Sequence, residues 1–268
     1  MHYTNFLNQT LALVSGIATR NFGKVATTIK TGDNNQVLTQ TDLEIGQKII
    51  ESIEKSFPTH NIIDEEAGVL DKGSAFTWVV DPIDGTSNFA NGIPTYGIMI
   101  GLLEDATPIA SGIALPAFGE MYIAEKNKGA YCNGQKLAVT EQNNLLAALV
   151  AYGVDGHQEN PTLTYTECRL LAEIVLRIRN LRCSNSVFDL AMLARGSYGA
   201  VLNRTSRIWD NVAIHILVEE AGGKYTDFFG KPMDYTNPLT KDKLNYTFCA
   251  AAPLLHEQLQ QIIHQYSQ

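Results

Sequence analysis

The run Trp78-Val79-Val80-Asp81-Pro82-Ile83-Asp84-Gly85-Thr86-Ser87-Asn88-Phe89 constrains this chain more than any other stretch. Its apolar opening reads as a buried strand, Gly85 as a tight turn, and the small, hydroxyl-bearing residues after it as the start of a helix. Asp81 and Asp84 therefore stand at a strand end, just before the free N–H groups of a new helix. Pro82 fixes its own φ and keeps Asp81 extended. The Ile83 carbonyl lies between the two carboxylates and is itself a hard oxygen donor, and Gly85 lets the backbone approach a ligand closely. Thr86 offers both an N–H and a hydroxyl. Carboxylates hold hard cations and a helix start holds an anion, so this order of parts suits a place where divalent cations meet a phosphate. A bare Asp-Gly pair would be an ordinary turn with Asp81 as a cap; the full twelve-residue run argues against that.

An N-terminal amphipathic helix is expected from Phe6, Thr10, Leu13, Val14, Ile17 and Ala18 at helical spacing. The apolar segment at 11–18 lacks a basic flank, which weighs against a signal peptide. Thr31-Gly32-Asp33-Asn34-Asn35 reads as a turn or flexible loop. Thr41-x-x-Glu44 has capping-box spacing and precedes the stripe Ile45, Ile49, Ile50 and Ile53, which ends at Pro58. Strands are expected at 62–63, 76–80, 96–103, 109–115, 121–125 and 130–139, separated by short turns, as in an antiparallel meander. From 149 onward strands and helices alternate: strand 149–152, helices 162–178 and 187–194, strand 198–202, a helix over 210–221 stopped by Gly222-Gly223, a strand at 246–251 and a helix from Pro253. A composition shift near 140–146 divides an N-terminal α+β subdomain, residues 1–143, from a C-terminal α/β subdomain, residues 144–268, within one compact unit.

A chain of 268 residues, 45% hydrophobic, can bury a large core, and its net charge of −8 argues against nucleic acid as the main partner. An acidic protein that acts on a phosphate ester needs local positive charge, and bound metal ions are the economical source. Cys132, Cys168, Cys183 and Cys249 are scattered without a C-x-x-C pair, which fits free buried thiols in a reducing, cytoplasmic setting. No apolar run reaches the ~18 residues needed to span a bilayer, so no membrane partner is expected.

Further acids join the set. Glu65-Glu66 follow Ile62-Ile63, Asp42 lies at the start of the second helix, and Trp209-Asp210 opens a later one. Each has an ordinary reading alone, a solvated turn or a helix cap. His215, mid-helix among apolar residues, reads as a packed histidine.

Together these residues resemble the inositol monophosphatase family of magnesium-dependent, lithium-sensitive phosphomonoesterases. Residues 81–89 match its D-P-[IL]-D-G-T-x-N-F motif, and 209–223, WDNVAIHILVEEAGG, resemble its second motif. Thr39-Gln40-Thr41-Asp42 and Glu65-Glu66 are weaker matches. The resemblance implies a layered α-β-α-β-α sandwich of the sugar phosphatase type, an α+β or α/β fold with an antiparallel sheet in the first half and a mixed sheet in the second. It implies Glu65, Asp81, the Ile83 carbonyl, Asp84 and Asp210 as ligands for two to three Mg²⁺, with Asp81 bridging two. It further implies Asp42 with Thr86 as the pair that orients and deprotonates water, the Gly85 and Thr86 N–H groups on the phosphate, and a homodimer.

Three positions depart from inositol-processing members. Asp64 stands where a Gly usually precedes the Glu pair. Asn203 stands where those members carry a Glu that contacts inositol hydroxyls. Ser184-Asn185-Ser186 replaces a Gly-Ser/Thr-Ala segment beside the substrate ring. Asn203 keeps hydrogen-bonding capacity but no charge, and beside Arg204 it also reads as a surface turn residue. The expected activity is hydrolysis of a small phosphate monoester, myo-inositol 1-phosphate first. Histidinol phosphate, fructose 1,6-bisphosphate and 3′-phosphoadenosine 5′-phosphate are alternatives. A non-catalytic binding protein on this fold ranks below them, because no metal carboxylate is lost.

Overall fold

The computed structural model describes residues 3–29 and 37–266, so the turn expected at 31–35 lies outside the described residues. The first half runs α1 (Tyr3–Asn21), the short pair β1 (Thr28–Ile29) and β2 (Val37–Leu38), and α2 (Gln40–Ser56). It continues with β3 (Asn61–Asp64), β4 (Gly68–Leu70), β5 (Phe76–Asp84), the short helix α3 (Thr86–Ala90), β6 (Gly97–Glu104) and β7 (Thr107–Leu115). β8 (Glu120–Glu125), β9 (Gly129–Cys132) and β10 (Gln135–Lys136) close it. The second half is β11 (Leu149–Gly153), α4 (Pro161–Val175), β12 (Asn180–Arg182), α5 (Val187–Ala194), β13 (Ala200–Ser206) and α6 (Ile208–Glu220). It ends with β14 (Lys224–Thr226), β15 (Tyr246–Ala251) and α7 (Pro253–Tyr266).

Two large sheets result. The first has the order β10-β9-β8-β7-β6-β5-β3-β4, and the second β12-β11-β13-β15-β14. The first is antiparallel except where β3 lies parallel to β5, because β4 carries the chain back out before β5 enters beside β3. The second is mixed: β11 runs parallel to β12 and β13, and β15 antiparallel to β13 and β14. Helices α1 and α2 cover one face of the first sheet, α5 and α6 fill the space between the sheets, and α4 and α7 cover the far side. This is the expected α-β-α-β-α sandwich.

Burial explains the local patterns. β5 is buried along both faces, so it reads as a continuous apolar run rather than an alternating one. α6 lies between two sheets and is buried on all sides from Val212 to Val218, with His215 the one polar residue in that span, as suits an internal helix. On α1 the face is wider than expected: Leu7 and Leu11 are buried, and Leu13, expected inside, is exposed. The cap of α2 is Thr39 with Asp42, two residues before the expected Thr41 and Glu44. The strand expected over 130–139 is broken into β9 and β10 by Asn133-Gly134, both at positive φ. Strands β4, β12 and β14 were not anticipated; three residues are too few to display a period of two. The four cysteines are free as expected, but Cys168 and Cys183 are exposed.

Candidate active site

A strand alternates its side chains, so residues at odd spacing such as Asp81 and Asp84 should face opposite ways. In β5 they do not. Asp81 pairs with Met99 and Asp84 with Gly97, so β5 carries one residue more than β6 across this interval. That bulge turns both carboxylates toward the same space, and Pro82, which has no N–H to give a ladder, sits inside it. β13 repeats the device: Asn203 pairs with Phe248 and Ser206 with Tyr246.

The two bulged strand ends open on one cleft of about 240 Å³. Its walls include Glu65, Asp81, Ile83, Asp84, Gly85, Thr86, Asn185, Ser186, Asn203 and Asp210, ten of the residues singled out from sequence. Asp42 and Ser184 are not on the wall but touch residues that are. The ligand oxygens of Asp81, Asp84 and Asp210 lie within 4.8 Å of one another.

Neighbours aim each acid. The Val187 N–H at the start of α5 donates to Asp84 Oδ2. The Arg207 N–H donates to Asp210 Oδ2 at 2.6 Å, so Asp210 lies inside the first turn of α6 rather than at the cap itself. Each of these two acids keeps its second oxygen for the cleft. Asp81 is 2% exposed and its Oδ1 has no hydrogen-bond partner. A buried carboxylate oxygen without a donor is costly, and a cation is what would satisfy it. The donors are all oxygens, the set that suits Mg²⁺ or Ca²⁺ rather than a softer metal.

Charge accumulation shows in the acidities. Burial, then Glu65, Asp84 and Asp210, hold the Asp81 carboxyl well above the ordinary range. Burial pushes Asp84 up to about 7 against the pull of the Val187 N–H, and burial with Asp84 pushes Asp210 to about 7. Asp42, 1% exposed, is raised by burial, while Thr39 and Thr86 pull it down. Its Oδ2 accepts the Thr39 N–H at 2.9 Å and the Thr39 hydroxyl. The Thr86 hydroxyl lies 3.2 Å from Asp42 Oδ1 and 2.8 Å from the Ile83 carbonyl.

Gly85 takes φ +78° at the cap of α3, and a side chain there would stand 3.0 Å from Ser186 Cβ and 3.2 Å from the Thr95 carbonyl. The halves thus meet tightly here. Asn88 Nδ2 donates to the Ser184 carbonyl at 2.9 Å and to the Thr95 carbonyl at 2.8 Å, tying the 184–186 segment to the first motif. Ser186 caps α5, and Ser184 Oγ lies 3.0 Å from Ser186 Oγ. Asn185, at φ +51°, donates to Asp155 Oδ1 at 3.2 Å. Asn203 is half-buried on the cleft wall, not a surface turn residue, and its Oδ1 accepts the Thr205 N–H at 2.6 Å. Asp64, where a Gly was expected, accepts the Glu66 and Ala67 N–H groups and so holds the turn that carries Glu65. His215 is packed as expected, its Nδ1 3.1 Å from the Tyr235 hydroxyl.

Sequence reasoning missed Asp155, Asp189 and Arg207, all on the cleft wall. Asp189 is 3% exposed; its Oδ2 accepts the Ser184 N–H at 2.9 Å and its Oδ1 has no partner. The spacing Ser186-x-x-Asp189, a capping signature, was its one sequence signal.

Known proteins resemble this chain in sequence and in fold. The sequence profile of the inositol monophosphatase family matches residues 2–268. The chain belongs to the inositol monophosphatase family. It is 30% identical over 240 residues to the fructose-1,6-bisphosphatase/inositol-1-monophosphatase of Aquifex aeolicus, covering 88% of this chain and 90% of that protein. It is 33% identical over 209 residues to the Nus factor SuhB of Pseudomonas aeruginosa, covering 74% of each. Among solved structures, an IMPase of Thermotoga maritima superposes with TM-score 0.86 at 26% identity, covering 99% of this chain and 98% of that one. Membership makes this protein a phosphatase of the phosphomonoesterase class. The family is metal-dependent, and Asp81, Asp84 and Asp210 have the arrangement to hold a metal. No described helix is long and apolar enough to cross a membrane.

Proposed function

We propose that this protein hydrolyses a small sugar- or polyol-phosphate monoester, myo-inositol 1-phosphate first, with two to three Mg²⁺ held by Glu65, Asp81, the Ile83 carbonyl, Asp84 and Asp210. The observation that carries this reading is the convergence of three carboxylates within 4.8 Å around the unpartnered Asp81 Oδ1. Divalent cations there supply Lewis acidity, which lowers the pKa of water, neutralises the ester and stabilises the departing alkoxide. The chain's own groups supply position and proton transfer. Thr86 Oγ hands its proton to Asp42 Oδ1 as it takes one from the attacking water; burial raises the proton affinity of Asp42 and so favours this. The Gly85 and Thr86 N–H groups hold the phosphate at the start of α3. Phosphoryl transfer asks for little covalent chemistry, so positioning and charge neutralisation suffice. Lithium inhibition belongs to the same reading.

The test is phosphate release with and without Mg²⁺ from inositol 1-phosphate, histidinol phosphate, fructose 1,6-bisphosphate and 3′-phosphoadenosine 5′-phosphate. Inositol 1-phosphate is expected to give the highest kcat/KM, with EDTA abolishing turnover. Preference for another ester overturns the substrate; turnover in EDTA overturns the metal chemistry.

A further inference from the structure

We infer that Asn211 is a positioning residue for the Asp210 carboxylate, acting through the strand–helix turn that precedes it. This rests on the cation-site reading above. Asn211 is fully buried, adjacent to Asp210 in α6. Its Nδ2 donates to Ser206 Oγ at 2.9 Å and to the Arg207 carbonyl, and its Oδ1 accepts the Tyr225 hydroxyl at 2.8 Å. Ser206 in turn donates to the Tyr246 carbonyl at 3.0 Å. The Arg207 carbonyl can only accept, so it fixes which end of the amide faces the turn. Both amide hydrogens are committed to groups of one bend, and the carbonyl oxygen to Tyr225 of β14, which anchors the amide from outside it.

That bend aims Asp210. Residue Arg207 is gripped from both sides: its carbonyl accepts from Asn211 Nδ2 and, at 3.2 Å, from the Asp210 N–H, while its own N–H donates to Asp210 Oδ2. The bulge of β13 falls between Asn203 and Ser206, so the ladder reaches the turn only through the Ser206–Tyr246 pair. The side-chain bonds of Asn211 brace the chain at and just past that pair. Tyr225, 3% exposed, anchors the amide from β14, its ring stacked on His215 at 4.8 Å and on Phe248 at 5.4 Å. Phe248 and Ser206 both line the cleft. A purely apolar residue at 211 would fill the space between the sheets equally well and leave the Arg207 peptide free to tilt.

The experiment titrates the folded, metal-stripped protein with Mn²⁺ and follows water-proton relaxation, which reads binding without turnover. Asn211→Leu is expected to weaken Mn²⁺ about tenfold, the lower end of the range seen when groups orienting metal ligands are removed, and Tyr225→Phe, which leaves both Nδ2 bonds in place, by a smaller factor of about threefold. At saturating metal, substrate KM stays at the wild-type value and kcat recovers to within about twofold, since Asp210 is displaced rather than lost. Leu217→Ala, a buried packing change one to two turns along α6, lowers the melting temperature without changing Mn²⁺ affinity. Wild-type Mn²⁺ affinity in Tyr225→Phe overturns the inference, and this one-atom deletion decides the matter should Asn211→Leu not fold. An equal loss of affinity in Leu217→Ala also overturns it, as generic loosening. A wild-type protein that binds no Mn²⁺ would overturn the cation-site reading itself, a different result from ordinary binding left unchanged by the variants.

Discussion

Asp84→Asn is expected to abolish turnover and, in the absence of metal, to make the protein melt at a higher temperature. The ligand oxygens of Asp81, Asp84 and Asp210 lie within 4.8 Å of one another. At that distance two unit charges repel by about 3.5 kcal/mol at an effective dielectric of ~20. The full figure is not felt near neutral pH, because Asp84 and Asp210 are each held up to about 7 and share protons with the cluster. Partial exposure of both reduces it further, leaving about 1–3 kcal/mol to be relieved. The substitution creates no new orphan: an asparagine can keep its oxygen on the Val187 N–H and turn its NH₂ toward Asp81 Oδ1, which lacks a donor. For a chain of this size each kcal/mol moves the melting temperature by about 2–4 °C, so a rise of roughly 2–12 °C is expected. The sign with pH follows from linkage. Carboxylates raised in the fold keep protons that the unfolded chain releases, so the metal-free wild type weakens as pH rises from about 4 to about 7. Asp84→Asn flattens that slope. The assay is thermal melting in EDTA across pH, repeated with Mg²⁺, alongside phosphate release. Wild type gains stability from the metal by mass action and the variant gains little. A variant that melts below wild type in EDTA, or that turns over at wild-type rate, refutes the argument.

Three further outcomes can be checked. His256, 2% exposed with Nε2 2.8 Å from Thr226 Oγ, is held down to about 4 by burial and by Lys224, against an ordinary 6.5. The unfolded chain takes up that proton first, so stability present above pH 6.5 is lost as pH falls toward 4, by about 2–3 kcal/mol; His256→Gln should make acid denaturation in urea titrations correspondingly shallower. Gly153→Ala would place a methyl 2.5 Å from Asn185 Oδ1 and 2.6 Å from Asn203 Nδ2, displacing both amides, so KM should rise about tenfold with kcat within about twofold. Asn203→Glu is expected to raise the kcat/KM ratio of inositol 1-phosphate over the other esters, and an unchanged ratio removes Asn203 from substrate contact.

The strand–turn–helix order of residues 78–89 was legible because each part carries a local signature: apolar run, glycine turn, helix-opening hydroxyls. The bulge that makes it useful was not. It arises only when β6 pairs with β5, and nothing in either segment alone says which residue is the extra one. The cap of α2 is a similar case. Thr39-x-x-Asp42 and Thr41-x-x-Glu44 have the same spacing, and burial of Asp42 between Thr39 and Thr86 selects the first. Leu13 was misplaced because α1 packs on α2 as well as on the sheet, which widens and rotates its buried face. Asp189 and Asn211 look in sequence like unremarkable polar residues of apolar helices. Their significance comes from packing between two sheets, where a buried polar group needs partners.

The same packing explains why the fold tolerates its acids. A polar wall built from either sheet alone would face one set of strand ends. Here β5 ends with carboxylates, the N-terminus of α5 arrives from the other half with the Val187 N–H on Asp84, and α6 brings Asp210 with it, held by the Arg207 N–H at its own cap. Those partial positive ends satisfy one oxygen of each acid and leave the other exposed to the cleft. Two bonds cannot balance the whole cluster, and the orphaned oxygen of Asp81 records the deficit. The fold therefore stores repulsion at one point and surrounds it with rigid elements that forbid relaxation. On the proposed reading, cations relieve that repulsion. A substitution that lets Asp84 or Asp210 swing away without leaving a buried polar group unpartnered should then stabilise the metal-free protein and weaken metal binding by the same motion.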